Sequence, residues 1–269
     1  MTDWDAAYDN RATIENAEAH LDKWKSDASA FRDAMLLRLS CDLSCPYADK
    51  PRNTYDLFYP QGQVNGTVIF IHGGYWRALD SSYFSHLATG PLMYNWQVAI
   101  PSYTLAPQAR IYEITQEVAR AIETIAEKFD GPIRLAGHSA GGHLVARMLC
   151  DDSGLPFDVY SRIVNTVAIS GLFDLRHLPE TKMNLDLQLD DTEVETESPV
   201  HHQPRPDARI NCLVGGNELK EFLRQNDVLD RWKVHGAKVK SITDHGKNHF
   251  TVVEALGDPN SLLTTVLMN

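Results

Sequence analysis

Basic charge, cysteine and long apolar runs are all scarce in this 269-residue chain. Lys and Arg number 25 against 36 Asp and Glu, giving a formal net charge of −11. So acidic a chain lacks the cationic footprint that holds a phosphate backbone, which argues against nucleic acid as a partner. The four cysteines, Cys41, Cys45, Cys150 and Cys212, are too scattered for a disulfide scaffold. Cys41-x-x-x-Cys45 has no second ligand pair to complete a zinc site, so free thiols in a cytoplasmic setting are the expectation. No apolar stretch approaches the roughly 20 residues that span a bilayer, so no membrane partner is expected. The amino terminus, MTDWDAAYDNRATIENAEAH, is acidic and polar, unlike a signal sequence. What remains is an ordinary globular composition, 43% hydrophobic and 23% charged, long enough for one domain with a substantial core.

Periodicity then divides the chain. Residues 1–40 read as helical, with Ser26 placed to cap a helix that carries Phe31, Met35, Leu36 and Leu39 at helical spacing. Residues 41–51 are turn-rich, and 55–59 alternate like a half-exposed strand. The apolar runs at 68–71 and 97–101 suit strands buried on both faces. Helices are expected over 82–93, 113–129, 142–149, 219–234 and from 248 onward, and further strands over 133–136, 163–169, 210–214 and 239–242. Strands alternating with helices imply a single α/β domain over 1–269, its sheet mostly parallel with helices on both faces. The segment 171–208, rich in Asp, Glu, Pro and His, is too long for a simple connection and reads as a cap over a site.

The chain is organised around residues 133–149, IRLAGHSAGGHLVARML. A strand that turns straight into a helix gives its central residue unfavourable backbone angles and crowds its neighbours. Glycine two places to either side removes the Cβ clash. Gly137-His138-Ser139-Ala140-Gly141 has that form, a nucleophile elbow. It would push the Ser139 hydroxyl out at the carboxyl edge of the sheet, with the Ala140 amide aimed at whatever the serine attacks. A serine hydroxyl needs a general base, and the base an orienting carboxylate. The expected chain order is serine, acid, histidine, each on a loop at that same edge.

After the last strand come His245 and His249, and His249, beside Phe250 where the final helix begins, is preferred. After the preceding strand, Gly215-Gly216-Asn217-Glu218 offers Glu218 as its first carboxylate, with Asp174 as the alternative. His72-Gly73-Gly74, directly after a buried strand, is placed to supply Gly73 and Gly74 amides that complete an oxyanion hole with Ala140. Tyr75, Trp76, Tyr103 and His138 are candidate pocket residues. His201-His202 lacks further spaced ligands and reads as solvent-facing rather than as a metal pair.

Taken together, His72-Gly73-Gly74-Tyr75-Trp76, Gly137-His138-Ser139-Ala140-Gly141-Gly142-His143-Leu144 and His249-Phe250 resemble the α/β-hydrolase kynurenine formamidases (arylformamidases) and their bacterial esterase-like relatives. His-Gly-Gly-x-Trp is the more specific signature, since hormone-sensitive-lipase relatives usually read His-Gly-Gly-Gly. The stretch ELKEFLRQ from Glu218 also looks like that family's sequence after the acid, although such enzymes commonly carry aspartate where Glu218 stands. The resemblance covers the chain from about Tyr55 to its end and, loosely, the helical amino terminus. It implies an α/β-hydrolase fold and a serine hydrolase that cleaves a formamide or ester of a small molecule, of the N-formylkynurenine type, through an acyl-serine intermediate. It implies no metal or organic cofactor. The alternatives are a general carboxylesterase or thioesterase and, more remotely, a non-catalytic binding protein on the same fold. A homodimer is left open.

Overall fold

Apolar strands five residues long bury both faces only if helices cover each side of the sheet. A computed structural model describes residues 2–269, so Met1 of the expected helical amino terminus lies outside the described residues. Helices α1 (Trp4–Tyr8) and α2 (Asn10–Thr13) lead into the long α3 (Ala17–Leu37). The strands are β1 (Cys41–Pro46), β2 (Thr54–Phe58), β3 (Thr67–Ile71), β4 (Gln97–Pro101), β5 (Ile133–His138), β6 (Ile163–Ile169), β7 (Arg209–Gly215) and β8 (Lys238–Asp244). Between them run α4 (Thr89–Met93), α5 (Ile111–Lys128), α6 (Ala140–Arg147), α7 (Phe157–Tyr160), α8 (Asn184–Leu187), α9 (Asp191–Glu197) and α10 (Lys220–Val228), followed at the end by α11 (Thr251–Glu254) and α12 (Leu262–Met268). Among the described residues the eight strands form one sheet in the order β1-β2-β4-β3-β5-β6-β7-β8. β2 is antiparallel to both its neighbours and every other pairing is parallel, so the expected mostly parallel α/β architecture is the one observed.

Side chains alternate between two cores. Ile69, Ile71, Leu135, Cys212 and Val214 pack on one face with Ile114, Val118 and Ile122 of α5 and Leu144 of α6. Val68, Phe70, Ala136, Val167 and Leu213 pack on the other with Trp24 of α3 and with Val252, Val253, Leu263 and Leu267 near the chain's end. The carboxyl ends of β3, β5, β6, β7 and β8 share one edge, from which the loops carrying His72, Ser139, Ser170, Glu218 and His249 emerge.

Several local expectations differ from the structure. Residues 41–46 form an edge strand within the passage read as turns; its polar sequence CDLSCP alternates in exposure, and a bulge interrupts its register between Asp42 and Cys45. β2 is buried on both faces rather than half exposed, because Phe58 packs on Phe31 of α3 while Tyr55 and Leu57 join the core on the α5 side; Asp56 lies inside and accepts from the Ser44 amide at 2.9 Å. Ser26 is in the middle of α3, which starts at Ala17 behind Asn16, and Leu39 lies beyond its end, 92% exposed. The helices expected over 82–93 and from 248 are each broken into short turns. The one over 219–234 is helical only to Val228 before tightening into a 3₁₀ segment.

Burial makes a stability contrast. Ile122→Ala, in the fully buried face of α5, should lower the unfolding free energy by about 2–5 kcal/mol. Leu37→Ala, 88% exposed, should change it by less than about 0.5 kcal/mol. Denaturant titration of the two variants checks the difference, and equal losses would contradict the assigned core.

Candidate active site

β5 runs into α6 with one residue between, and that residue is Ser139, at φ 57° and ψ −117°. No L residue is comfortable there, at a cost on the order of 1–3 kcal/mol. The close approach that causes the strain is visible at its flanking glycines. A Cβ on Gly137 would stand 2.1 Å from the Gly141 carbonyl oxygen, and one on Gly141 would stand 2.0 Å from the Ile71 oxygen. The Ser139 amide donates to the Ile169 carbonyl at 2.8 Å, which fixes the turn to β6.

His249, which shares a cavity with Ser139, meets Glu218. The His249 Nδ1–H donates to Glu218 Oε2 at 2.6 Å, and both side chains are almost fully withdrawn from water. Glu218 Oε1 accepts from the Ser170 hydroxyl at 2.6 Å and from the Gly215 amide at 2.7 Å. The carboxylate therefore has three donors, which is what makes its burial tolerable. The imidazole is packed by Phe222, edge-on with ring centroids 4.6 Å apart, and by His138 at 4.7 Å. His138 also donates from Nε2 to the His249 carbonyl at 2.9 Å, so it pins the main chain of the residue it packs against. With Nδ1–H engaged by the carboxylate, Nε2 of His249 is left to act as an acceptor.

His72-Gly73-Gly74 follows β3 against this turn. A Cβ on Gly73 would lie 3.0 Å from Ser139 Cβ, so only glycine lets this loop pass the serine so closely. Gly74 has φ +109°. The His72 ring donates from Nδ1 to the Gly73 carbonyl at 2.8 Å and stacks on Tyr103 at 4.2 Å. The Tyr103 hydroxyl donates to the His72 carbonyl at 2.9 Å.

Ser139, His138, His249, Gly74 and Tyr75 line a cavity of about 600 Å³. Of the expected pocket residues, Trp76 and Tyr103 stand in the core behind its wall. Trp76 packs edge-on to His143, and Tyr103 is occupied with His72. Gly73 and Ala140 are likewise behind the lining, adjoining Ser139. Asp174, the alternative acid, is paired with Arg176 and Arg224, and His245 is exposed on the loop.

The rest of the wall was not singled out from sequence. The amino-terminal segment contributes Asp5, Tyr8, Asp9, Asn10 and Arg11, α3 contributes Leu21 and Trp24, and the long segment after β6 contributes Lys182 and Met183. The two segments meet, with Asp5 accepting from the Lys182 amide at 2.7 Å and Trp4 stacked on His177 at 3.7 Å. The only sequence signal was three large aromatics, Trp4, Tyr8 and Trp24, in an otherwise polar stretch. Elsewhere, Asp151, Asp152 and His202 bring possible metal donors within 4.8 Å of one another on the surface, but Asp152 is already paired with Arg147 and none of the three lines the cavity.

A strained serine at a strand-to-helix turn, sharing a cavity with a carboxylate-paired imidazole, defines a serine hydrolase. A family model described as alpha/beta hydrolase fold matches residues 68–225, and the chain belongs to that family. Kynurenine formamidase of Danio rerio is 27% identical over 237 residues, 84% of this chain and 80% of that protein. The kynurenine formamidase of Drosophila melanogaster is 25% identical over 81% of this chain and 78% of its own. A solved structure from Silicibacter sp. TM1040, described as a "putative thioesterase", is 43% identical with TM-score 0.93 over the whole of both chains. Esterase B from Lactobacillus rhamnosis, at 18% identity and TM-score 0.69 over 93% of each chain, shares the fold. Among the described residues no helix is long and apolar enough to cross a membrane.

Three histidines of the site region are buried and uncharged. Burial pulls His72 down to about 4 and His143 to about 3, from an ordinary 6.5; burial, with His249 nearby, holds His138 well below it too. Below 6.5 the unfolded chain takes up protons at these rings and the folded chain does not. Each ring therefore removes about 1.4 kcal/mol of stability per pH unit as pH falls from 6.5 toward its folded value. The urea midpoint should be flat above pH 7 and drop steeply between pH 6.5 and 4.5. A midpoint constant down to pH 5 would contradict the neutral assignment.

Proposed function

We propose that Ser139, Glu218 and His249 act as nucleophile, orienting acid and general base in the hydrolysis of a small formamide or ester. The observation that carries the reading is that His249, which shares the cavity with Ser139, donates from Nδ1 at 2.6 Å to a buried Glu218. Through Nε2, His249 takes the Ser139 proton as the oxygen attacks the carbonyl carbon. The negative oxygen that forms is held by the amide of Ala140 at the start of α6 and by those of Gly73 and Gly74. His249 then gives the proton to the departing amine or alcohol, the acyl group stays on Ser139, and a water activated in the same way releases it. An aryl amine leaves more readily than an alkyl amine, which brings a formanilide bond within reach of an esterase-like site.

The formamidase-type substrate, N-formylkynurenine or a close analogue, is supported by the curated relatives named above, which span most of the chain. A second reading, a carboxylesterase or thioesterase, is favoured by the 43% identical Silicibacter protein. We read the chain as one domain in which residues 171–208, with Lys182 and Met183 on the cavity wall, cap the site. The four cysteines are free, which fits a cytoplasmic setting; a homodimer is compatible with this reading.

Fluorophosphonate should label the enzyme covalently and Ser139→Ala should abolish labelling. Glu218→Ala should lower kcat by on the order of 10³–10⁴, whereas Asp174→Asn should leave it near the parent. A large loss in Asp174→Asn with little in Glu218→Ala would move the acid to Asp174. Turnover of N-formylkynurenine, p-nitrophenyl acetate and an acyl thioester, compared side by side, decides the substrate; esters or thioesters alone would overturn the formamidase assignment.

A further inference from the structure

The amino-terminal helix does more than wall the cavity, because it is bonded both to the loop after β3 and to the first turn of α10. Tyr8 ends α1, where helical carbonyls lack an intrahelical partner. The Tyr75 hydroxyl donates to the Tyr8 carbonyl at 2.6 Å. In turn, the Tyr8 hydroxyl donates to Glu221 Oε1 at 3.1 Å. Glu221 lies in the first turn of α10, three residues after Glu218, and is itself fixed by Arg224 at 2.6 Å and Gln225 at 2.9 Å. The next residue, Phe222, is the one packed against the His249 ring, and it also meets the Tyr8 ring edge-on.

Backbone strain at the other end shows why such a tie is needed. Tyr75 has φ 50° and Trp76 φ 55°, two successive non-glycine residues in the left-handed region. Such conformations persist only where the surroundings over-determine them. Trp76 is held by its buried ring and by the Ala106 amide, which donates to the Trp76 carbonyl at 2.8 Å. Tyr75 is held through its hydroxyl, by Tyr8.

We propose that Tyr8 is a positioning residue, tying the Gly73-Gly74-Tyr75 loop through its carbonyl, and the first turn of α10 through its hydroxyl, so that the amides facing Ser139 keep their distance to the forming oxyanion. The inference rests on the serine-hydrolase reading above. Burial and the neighbouring Glu221 hold the Tyr8 phenol far above its ordinary range, so the hydroxyl stays the donor of this bond. Loosening it displaces oxyanion donors without removing them, and small misplacements of catalytic groups are expensive in rate.

The test compares Tyr8→Phe, Tyr75→Phe and the double variant in the full chain. Three quantities are read: the rate of Ser139 phosphonylation by a fluorophosphonate, kcat and KM on p-nitrophenyl acetate, and the thermal midpoint. Each single variant should lose about tenfold in phosphonylation rate and kcat, with KM and the midpoint close to the parent. The double variant should lose little more than either single one, because the tie is already cut. Single-variant rates within about twofold of the parent, losses that multiply in the double variant, or a change in KM alone would overturn the tie. If Tyr8→Phe fails to fold, Tyr75→Phe decides by the same criteria. A parent that the reagent does not label at Ser139 would overturn the hydrolase reading and the tie with it, whereas a labelled parent with unaffected variants overturns the tie alone.

Discussion

A carboxylate withdrawn from water is tolerated only where donors meet it, and the environment of Glu218 is arranged to do so. Ser170 at the end of β6, Gly215 at the end of β7 and His249 after β8 each give it one hydrogen. Truncating either side-chain donor, Ser170 or His249, would leave part of a buried charge unpaired, which costs more than an ordinary hydrogen bond is worth. The carboxylate thereby fixes three strand ends relative to one another and sets the imidazole ring's tautomer and direction. Glutamate suits this arrangement because the loop at Gly215 folds back on itself: Oε1 reaches the Gly215 amide from three residues on while Oε2 still reaches the histidine.

Strain collects around the same point. Ser139, Ser170, Tyr75 and Trp76 are all non-glycine residues with positive φ, and each follows directly or closely on a strand that ends at this edge of the sheet. A sheet whose strands are buried on both faces supplies the rigidity that holds such conformations, since its main-chain bonds are satisfied along the ladder. The buried, uncharged His72, His138 and His143 belong to this frame. Each spends a ring N–H on a main-chain carbonyl, of Gly73, His249 and Glu197 respectively, so loops that would otherwise be soft are pinned by imidazoles.

What could be read from the sequence follows from the range of the physics involved. The elbow was legible because Gly137 and Gly141 answer contacts within a few residues and with the adjacent strand. The apolar runs of β3 and β4 were legible because both faces of each are covered, leaving no polar alternation to confuse the period. β1 was not, because an edge strand with a bulge and the sequence CDLSCP carries no apolar signal. The amino-terminal wall was not either: the Tyr8 to Glu221 bond joins residues 213 apart, and nothing local marks a polar helix as part of a cavity. Trp76 and Tyr103 illustrate the opposite difficulty, since an aromatic near a site sequence can as readily support the wall from behind as line it.

On the reading proposed above, a strained Ser139, an imidazole held by Glu218, and the amides of Ala140 and the Gly73-Gly74 loop converge on one carbonyl. The most direct measurement is a crystal structure of the fluorophosphonate-treated enzyme. Phosphorus should be bonded to Ser139 Oγ, with the phosphoryl oxygen about 2.7–3.1 Å from the amide nitrogens of Ala140 and of Gly73 or Gly74. His249 should remain paired with Glu218. Phosphorus on another residue, or a phosphoryl oxygen turned away from those amides, would contradict it.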